Sequence, residues 1–391
     1  IMDLLAGGPG TADAERWTQV CTNSGKCIPA CAHGINPRLM VNLARIASKA
    51  KQGEAAVRKS ANDYFNAMGR GTRTVSRLML PPETLARINP PLRAPGEYER
   101  PDIVFYTGCN VIKTPHIALL TLEVLDRLGV RYEAMGGTST CCGIQQFKQG
   151  DAKTAGRVGW NTIERLARPG APQVLSWCPS CQIQIGEVAL PAYGESHGAM
   201  PFSLNPITEY LAGRIDELRP MLVNRVDKRV AIQERAALPG VMAAVKALLR
   251  AIPGVEVVEL DVPIVSTQAN HLAVLPKFRA ELRAKEFAAA AEAGVTTFAS
   301  VFHACHRELV TFQPDVEFDI VNFMELIGES MGVDMPDLYK RLALMGDVDA
   351  IVADTADRIA EYGMDLDEVR DIVARDMFGG KPPGPRAAAA R

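Results

Sequence analysis

Nine cysteines fall in three groups along the 391-residue chain: three between 21 and 31, five between 109 and 181, and Cys305 by itself. The five, Cys109, Cys141, Cys142, Cys178 and Cys181, follow the spacing C-x31-CC-x35-C-x2-C. Thiolates are soft donors suited to zinc and iron. Four ligands satisfy zinc, so a fifth thiol in the same set favours polynuclear iron–sulfur chemistry over a single ion. The competing reading is a set of buried structural cysteines. An odd count in clusters does not look like a disulfide framework. Gly143 after the cysteine pair lets the backbone approach a bulky inorganic core, and Pro179 shapes the loop between the last two thiols.

The first group, Cys21, Cys27 and Cys31, reads as a ferredoxin run C-x2-C-x2-C-x3-C with Ser24 in the second ligand position and Ala32 where proline usually follows. Three thiolates suffice for a [3Fe–4S] cluster, or for a [4Fe–4S] cluster whose fourth iron takes Ser24, His33, water or an external residue. The alternative is an empty site kept as helical scaffold. The chain opens at Ile1 rather than Met, which leaves room upstream for a companion run or a targeting segment.

These thiols need elements to hold them. Amphipathic periodicity predicts helices over 39–51 and 55–68, and a proline-rich stretch from Asn89 to Pro101 marks a boundary. Beyond it the pattern is α/β: a buried strand at 103–106, a helix at 118–128 and a strand at 174–177. The pattern then recurs, with a strand at 229–232, a helix at 241–251 and a strand at 297–301. Superposing the halves sets Cys109 opposite Arg235, Cys141-Cys142-Gly143 opposite Ser266-Thr267-Gln268, and Cys178–Cys181 opposite Phe302–Cys305. The expected organisation is 1–97 small and all-α, 98–225 a first α/β unit with the complete motif, 226–335 a second, degenerate one, and 336–391 C-terminal helices with a disordered tail. Arg235, Gln268 and Phe302 are expected to fill the volume of a lost second cluster. His271, His303 and His306 around Cys305 are expected to be polar filling, with zinc or iron ligation as the alternative.

Composition narrows the function classes. With 43 Lys plus Arg against 45 Asp plus Glu and 47% hydrophobic residues, the chain is an ordinary folded protein. No uncharged apolar run reaches the roughly 18 residues of a membrane span. Clustered thiols point to a reducing, cytoplasmic setting. Residues 37–78 carry nine Lys/Arg and two Asp/Glu, whereas 313–371 carry four and sixteen. Such faces are either solvated surfaces or complementary docking surfaces in an assembly. The basic stretch has no nucleic-acid motif and few aromatics, so nucleic-acid binding is disfavoured.

Thr107-Gly108-Cys109, Cys141-Cys142-Gly143 and Cys178-Pro179-Ser180-Cys181 together resemble the cysteine-rich (CCG) family over about residues 101–335. That family is typified by the catalytic subunit of heterodisulfide reductase, with relatives in sulfur-oxidising heterodisulfide-reductase-like complexes, sulfite-reduction membrane complexes, and glycolate or lactate oxidases. The segment 21–38 is similar to the family's ferredoxin-like subunit, fused here to the cysteine-rich unit. The resemblance implies two pseudo-symmetric α/β units preceded by a small all-α ferredoxin-like domain. It also implies a noncanonical [4Fe–4S] cluster held by Cys109, Cys141, Cys142, Cys178 and Cys181, at which a disulfide is cleaved or formed. Members usually carry two such motifs; here only Cys305 survives of the second, so a second cluster of that type is not expected.

The implied role is a redox subunit of a heterodisulfide-reductase-like complex. It would exchange electrons with flavin- or iron–sulfur-containing subunits and act on a thiol, disulfide or carrier-bound persulfide. Its rivals are a non-catalytic electron-relay or scaffold protein and a component of a glycolate or lactate oxidase. No dinucleotide fingerprint is evident, so the electron source is expected on a partner.

Overall fold

Ile103, Val104, Phe105 and Tyr106 are buried on both faces, as a central strand of a parallel sheet covered by helices must be. A computed structural model of the chain describes residues 1–379; the expected tail beyond Gly379 lies outside the described residues. In it the run forms β1 (Ile103–Gly108), paired in parallel with β2 (Tyr132–Gly136) and β3 (Gln173–Ser176), and β3 pairs with β4 (Ser203–Pro206). The order is β2-β1-β3-β4. A second sheet repeats it: β5 (Lys228–Ile232), β6 (Val255–Val258), β7 (Thr297–Ser300) and β8 (Asp319–Asn322) run β6-β5-β7-β8, all parallel. The α/β fold class and the internal repeat thus stand as the sequence implies.

Each order reverses direction between its two central strands. Such a switch point opens a crevice beyond the carboxyl ends of the strands. In the first sheet, Cys109 follows β1, Cys141 and Cys142 follow β2, and Cys178 follows β3.

Residues before the first sheet form only helices: Met2–Leu5, Ala12–Val20, Pro37–Ala50, Glu54–Met79 and Pro82–Ile88. Asn36 caps the third by accepting the Leu39 N–H, with Pro37 at its first position, which moves the start two residues ahead of the periodicity. The fourth runs well past residue 68, through Gly69 and Gly71, and stops before Pro81 and Pro82. A Cβ at Gly71 would lie 1.8 Å from Asp376 Oδ2 on the last helix, Leu366–Phe378, so a larger residue there would have to displace that carboxylate from Lys113.

That contact bears on the charged stretches. The basic helix Glu54–Met79 packs against the acidic C-terminal helices: Arg375 donates to Ala67 O, Tyr362 donates to Leu80 O, and Arg77 lies over the Tyr362 ring. Of the basic stretch, Arg77 is thereby engaged within the chain. Among the described residues no helix is long and apolar enough to cross a membrane.

The two units share one apolar core. Leu120 and Leu125 of the first belong to the same buried cluster as Leu326, Ile327 and Met331 of the second. Trp177 stacks on Phe323, ring centroids 5.7 Å apart and 8° from parallel. Phe323 is fully buried at this seam, so Phe323→Ala should lower stability by about 3–5 kcal/mol in chemical denaturation. A loss under about 1 kcal/mol would mean that the seam contributes little.

Candidate functional site

Local geometry brings the five thiols to one place. Gly108 (φ +74°) turns the chain out of β1, and a Cβ there would stand 3.1 Å from Cys181 Sγ and 3.2 Å from Cys178 Cβ. Gly143 (φ +82°) turns the chain after the cysteine pair, where a Cβ would meet Ala155 O at 2.7 Å. Both glycines are demanded by left-handed backbone and by close approach. Cys178 caps the helix Pro179–Ile183 and Cys181 lies on its first turn, so the C-x2-C spacing puts both thiols on one face. Above the cysteine pair, the helix Ile144–Gln149 is clamped to the N-terminal region, where Lys49 Nζ donates to Gln149 Oε1 at 2.8 Å.

All five thiols are buried. They lie in hydrogen-bonding reach in a chain, Cys109 of Cys141, Cys141 of Cys142, and Cys181 of both Cys142 and Cys178, to one of which at a time its single S–H donates. Hydrogen bonds from Cys141 and Cys181 pull Cys142 down to about 6, and the one from Cys181 lowers Cys178. The donors move the other way: Cys109 is raised by its bond to Cys141 and by burial, and Cys181 by its bonds to Cys142 and Cys178. A nest of this kind can ionise fully only around a multiply charged cation, because burial and mutual repulsion oppose five neighbouring thiolates. Soft donors, glycine-cleared backbone and convergence fit an iron–sulfur core.

Three polar groups that the cysteine spacing does not single out point at the sulfurs. Asn110 Nδ2 donates to Cys109 Sγ at 3.4 Å, Gly143 N to Cys141 Sγ at 3.5 Å, and Tyr106 Oη lies 3.6 Å from Cys181 Sγ while bonding Thr140 O at 2.6 Å. Hydrogen bonds to sulfur tune the potential of a cluster. Asn110 and Tyr106 flank the Thr-Gly-Cys motif, which is the one signal that could have drawn attention to them.

Cys109, Cys142, Cys178 and Cys181 border a cavity of ≈ 390 Å³, and Cys141 stands behind them. Its other walls come from every region of the chain: Tyr64 and Met68 from the N-terminal helices, Lys113 and Lys148 from the first unit, His303 and Arg307 from the second, Arg375 and Asp376 from the last helix. Asp376 is paired with Lys113 at 2.6 Å, and Arg307 donates to Asn110 O at 3.0 Å. Burial, with Arg45 nearby, lowers Lys148 to about 8, and its ammonium contacts His271 Nε2.

The second unit differs from expectation in its details. Arg235 follows β5 as Cys109 follows β1, and it is buried, donating to Glu286 Oε1 at 2.8 Å and to Cys305. Gln233 donates to the other Glu286 oxygen at 2.8 Å, so Glu286 completes the filling. Gln268 instead reaches the first unit, donating to Ser180 Oγ at 2.9 Å, and Phe302 turns to the seam beside Trp177. The three histidines do not converge on Cys305. His271 meets Lys148, His303 borders the first unit's cavity, and His306 bonds Ser300 and Asp337. Cys305 Sγ accepts from Ala269 N at 3.3 Å.

The N-terminal thiols sit on consecutive turns closed by Ile28 N to Gly25 O, Cys31 N to Ile28 O and Gly34 N to Cys31 O. Cys27 is exposed, and Cys21 and Cys31 are half-buried. The loop is anchored beside the five-thiol site: Asn23 O accepts from Arg38 at 3.2 Å and from Thr267 Oγ1 at 2.8 Å, and Arg38 pairs with Glu187.

Residues 103–186 match the family model of the cysteine-rich domain named CCG. Over 332 residues the chain is 24% identical to a subunit of the dihydromethanophenazine:CoB–CoM heterodisulfide reductase of Methanosarcina barkeri, covering 80% of this chain and 78% of that protein. The same subunit from Methanosarcina mazei is 25% identical over 338 residues with the same coverage. A subunit of the fumarate reductase (CoM/CoB) of Methanothermobacter marburgensis is 25% identical over 255 residues, covering 63% of this chain and 47% of that protein.

The filled second site yields a test with two arms. Glu286→Ala leaves the Arg235 guanidinium buried and unpaired, so it should cost about 3–5 kcal/mol of stability in a denaturant titration. Cys305→Ser should leave the iron content per chain unaltered. Loss of iron in the serine variant would show the second pocket to be a working site.

Proposed function

From the premise that the chain is an iron–sulfur redox subunit carrying a cysteine-rich CCG domain, similar over most of its length to a heterodisulfide reductase subunit, we propose that it cleaves or forms a disulfide beside the thiols at 109–181. Cys109, Cys141, Cys142, Cys178 and Cys181 would hold a five-thiolate [4Fe–4S] cluster. When bound, the cluster supplies electrons one at a time to a sulfur–sulfur bond that needs two. The carrying observation is the cavity of ≈ 390 Å³ against four of the five thiols. The cluster itself would fill part of this space, and the cationic side chains of Lys113, Lys148 and Arg307 on its wall are what a substrate beside it would meet.

The surrounding residues do the rest. Lys113, Lys148 and Arg307 on the cavity wall favour a sulfur compound with acidic groups. In the reductive direction the balance is RS–SR′ + 2e⁻ + 2H⁺ → RSH + R′SH: the sulfur–sulfur bond breaks, both sulfurs are reduced, and each takes a proton. The Lys148 ammonium, lowered to about 8 at Nζ, is suited to deliver one of these protons. Asn110 would donate to Cys109 Sγ, and Tyr106 Oη lies against Cys181 Sγ.

Electrons would come from a flavin- or iron–sulfur-containing partner subunit. The loop of Cys21, Cys27 and Cys31, with Ser24 or His33 completing a [3Fe–4S] or [4Fe–4S] site, would pass them on. Its link to the five-thiol site through Asn23, Thr267, Gln268 and Ser180 supports a short route inward. The substrate is a thiol, disulfide or carrier-bound persulfide.

Two outcomes test this reading. Cys142→Ala should remove most of the visible iron–sulfur absorption and destabilise the surrounding loops, since metal binding is coupled to folding; unchanged iron content would refute the assignment. The purified chain should not reduce a disulfide with NADH until a redox partner is added, and turnover by the chain alone would contradict the need for a partner.

A further inference from the structure

His116 is fully buried and neither ring nitrogen makes a hydrogen bond, although buried polar groups in folded proteins nearly always do. It lies on the first turn of the helix Pro115–Arg127 in the first unit, directed at three residues of the second unit and its C-terminal extension. Its Nε2 is 3.5 Å from Glu325 Oε1 and its Nδ1 3.3 Å from Asp337 Oδ1. His306 Nε2 lies 2.6 Å from Asp337 Oδ2. One donor atom from each of His116, His306, Glu325 and Asp337 falls within 4.8 Å of the others, the one such group among the described residues.

We propose that His116, His306, Glu325 and Asp337 bind a zinc ion that clamps the two α/β units together. Imidazole nitrogen and carboxylate oxygen are both donors that zinc accepts, and four of them complete its tetrahedral shell. The imidazoles disfavour magnesium and calcium, which take oxygen ligands.

The groups around the donors are already arranged for it. Ser300 Oγ reaches Val321 O at 3.1 Å and His306 Nδ1 at 2.9 Å; with its proton on Val321 O it accepts the Nδ1–H, the tautomer in which Nε2 carries the lone pair that a metal needs. In that tautomer a cation beside Nε2 and Asp337 Oδ2, which are 2.6 Å apart, offsets the repulsion between them. Asp337 is fixed by accepting the Lys340 N–H at 2.9 Å, and Glu325 by accepting the Asn322 N–H at 2.6 Å in a capping box. Outer partners of this sort orient metal ligands. An open cavity of ≈ 390 Å³ beside Glu325, bordered by Leu120, Glu329 and Asp334, provides a way in.

The alternative occupant is a proton on each ring, making a buried ion-pair network with no metal. Elemental analysis of the full chain, purified anaerobically from zinc-supplemented cells, distinguishes the two. It should find one zinc per chain alongside the iron. Removing zinc with a chelator should lower the melting temperature, and added Zn²⁺ should restore it. Zinc should persist in Cys142→Ala, whose iron is lost, and be absent from His116→Ala. Should the alanine variant fail to fold, Glu325→Gln at the half-exposed ligand should weaken zinc by about tenfold to a hundredfold in competition with a chromophoric chelator. No zinc in the wild type and no thermal shift on adding it would overturn the proposal in favour of the ion-pair network. Zinc retained at full affinity in both variants would place it on the N-terminal thiols and overturn it equally, as would iron or manganese in its stead.

Discussion

Five ionisable thiols buried at the carboxyl edge of one sheet are a constraint before they are a function. Neighbouring thiolates in a low-dielectric site repel one another, and their protons are shared along the chain from Cys109 to Cys178. Only a multiply charged core lets all five ionise. The local backbone suits that demand: Gly108 leaves room for Cys178 and Cys181, the turn at Gly143 lies against Ala155 O, and Asn110 and Gly143 donate to sulfur while Tyr106 Oη lies 3.6 Å from Cys181 Sγ. The crevice between reversing strands supplies the space.

The second unit keeps the topology of the first with different contents. A buried Arg235–Glu286 pair with Gln233 replaces soft donors by charge that is satisfied within the protein. Its outward residues serve the first unit: Gln268 bonds Ser180, Thr267 bonds the N-terminal loop, and His303 and Arg307 wall the cavity. The C-terminal helices close the same cavity from the far side through Arg375 and Asp376. One site is thus built by regions some 300 residues apart, all resting on the apolar seam marked by Trp177 and Phe323.

Legibility in the sequence followed burial. The central strands β1, β3, β5 and β7 stood out because short apolar runs such as Val104-Phe105-Tyr106 and Thr297-Phe298-Ala299 are buried throughout. Their outer neighbours did not: Ser203-Leu204-Asn205-Pro206 carries polar residues and a proline, which an edge tolerates and a propensity reading discards. The thiols were legible as a set because cysteine spacing is rare enough to carry information. Glu286 and His116 were not, because a lone charged or polar residue on a helix acquires meaning only when another element is packed against it. The repeat is legible in strand order but not in side-chain direction: Gln268 bonds Ser180 of the first unit and Phe302 lies beside Trp177, partners that only the packing of the two units supplies.

The most direct test of a disulfide-active five-thiolate centre is anaerobic EPR of the thiol-oxidised full chain prepared with ⁵⁷Fe. A paramagnetic signal that appears on oxidation in the presence of thiol, is broadened by ⁵⁷Fe and disappears in Cys178→Ser is the result this account predicts. An oxidised protein with its full iron that shows no thiol-dependent signal, or one that keeps the signal without Cys178, would contradict it.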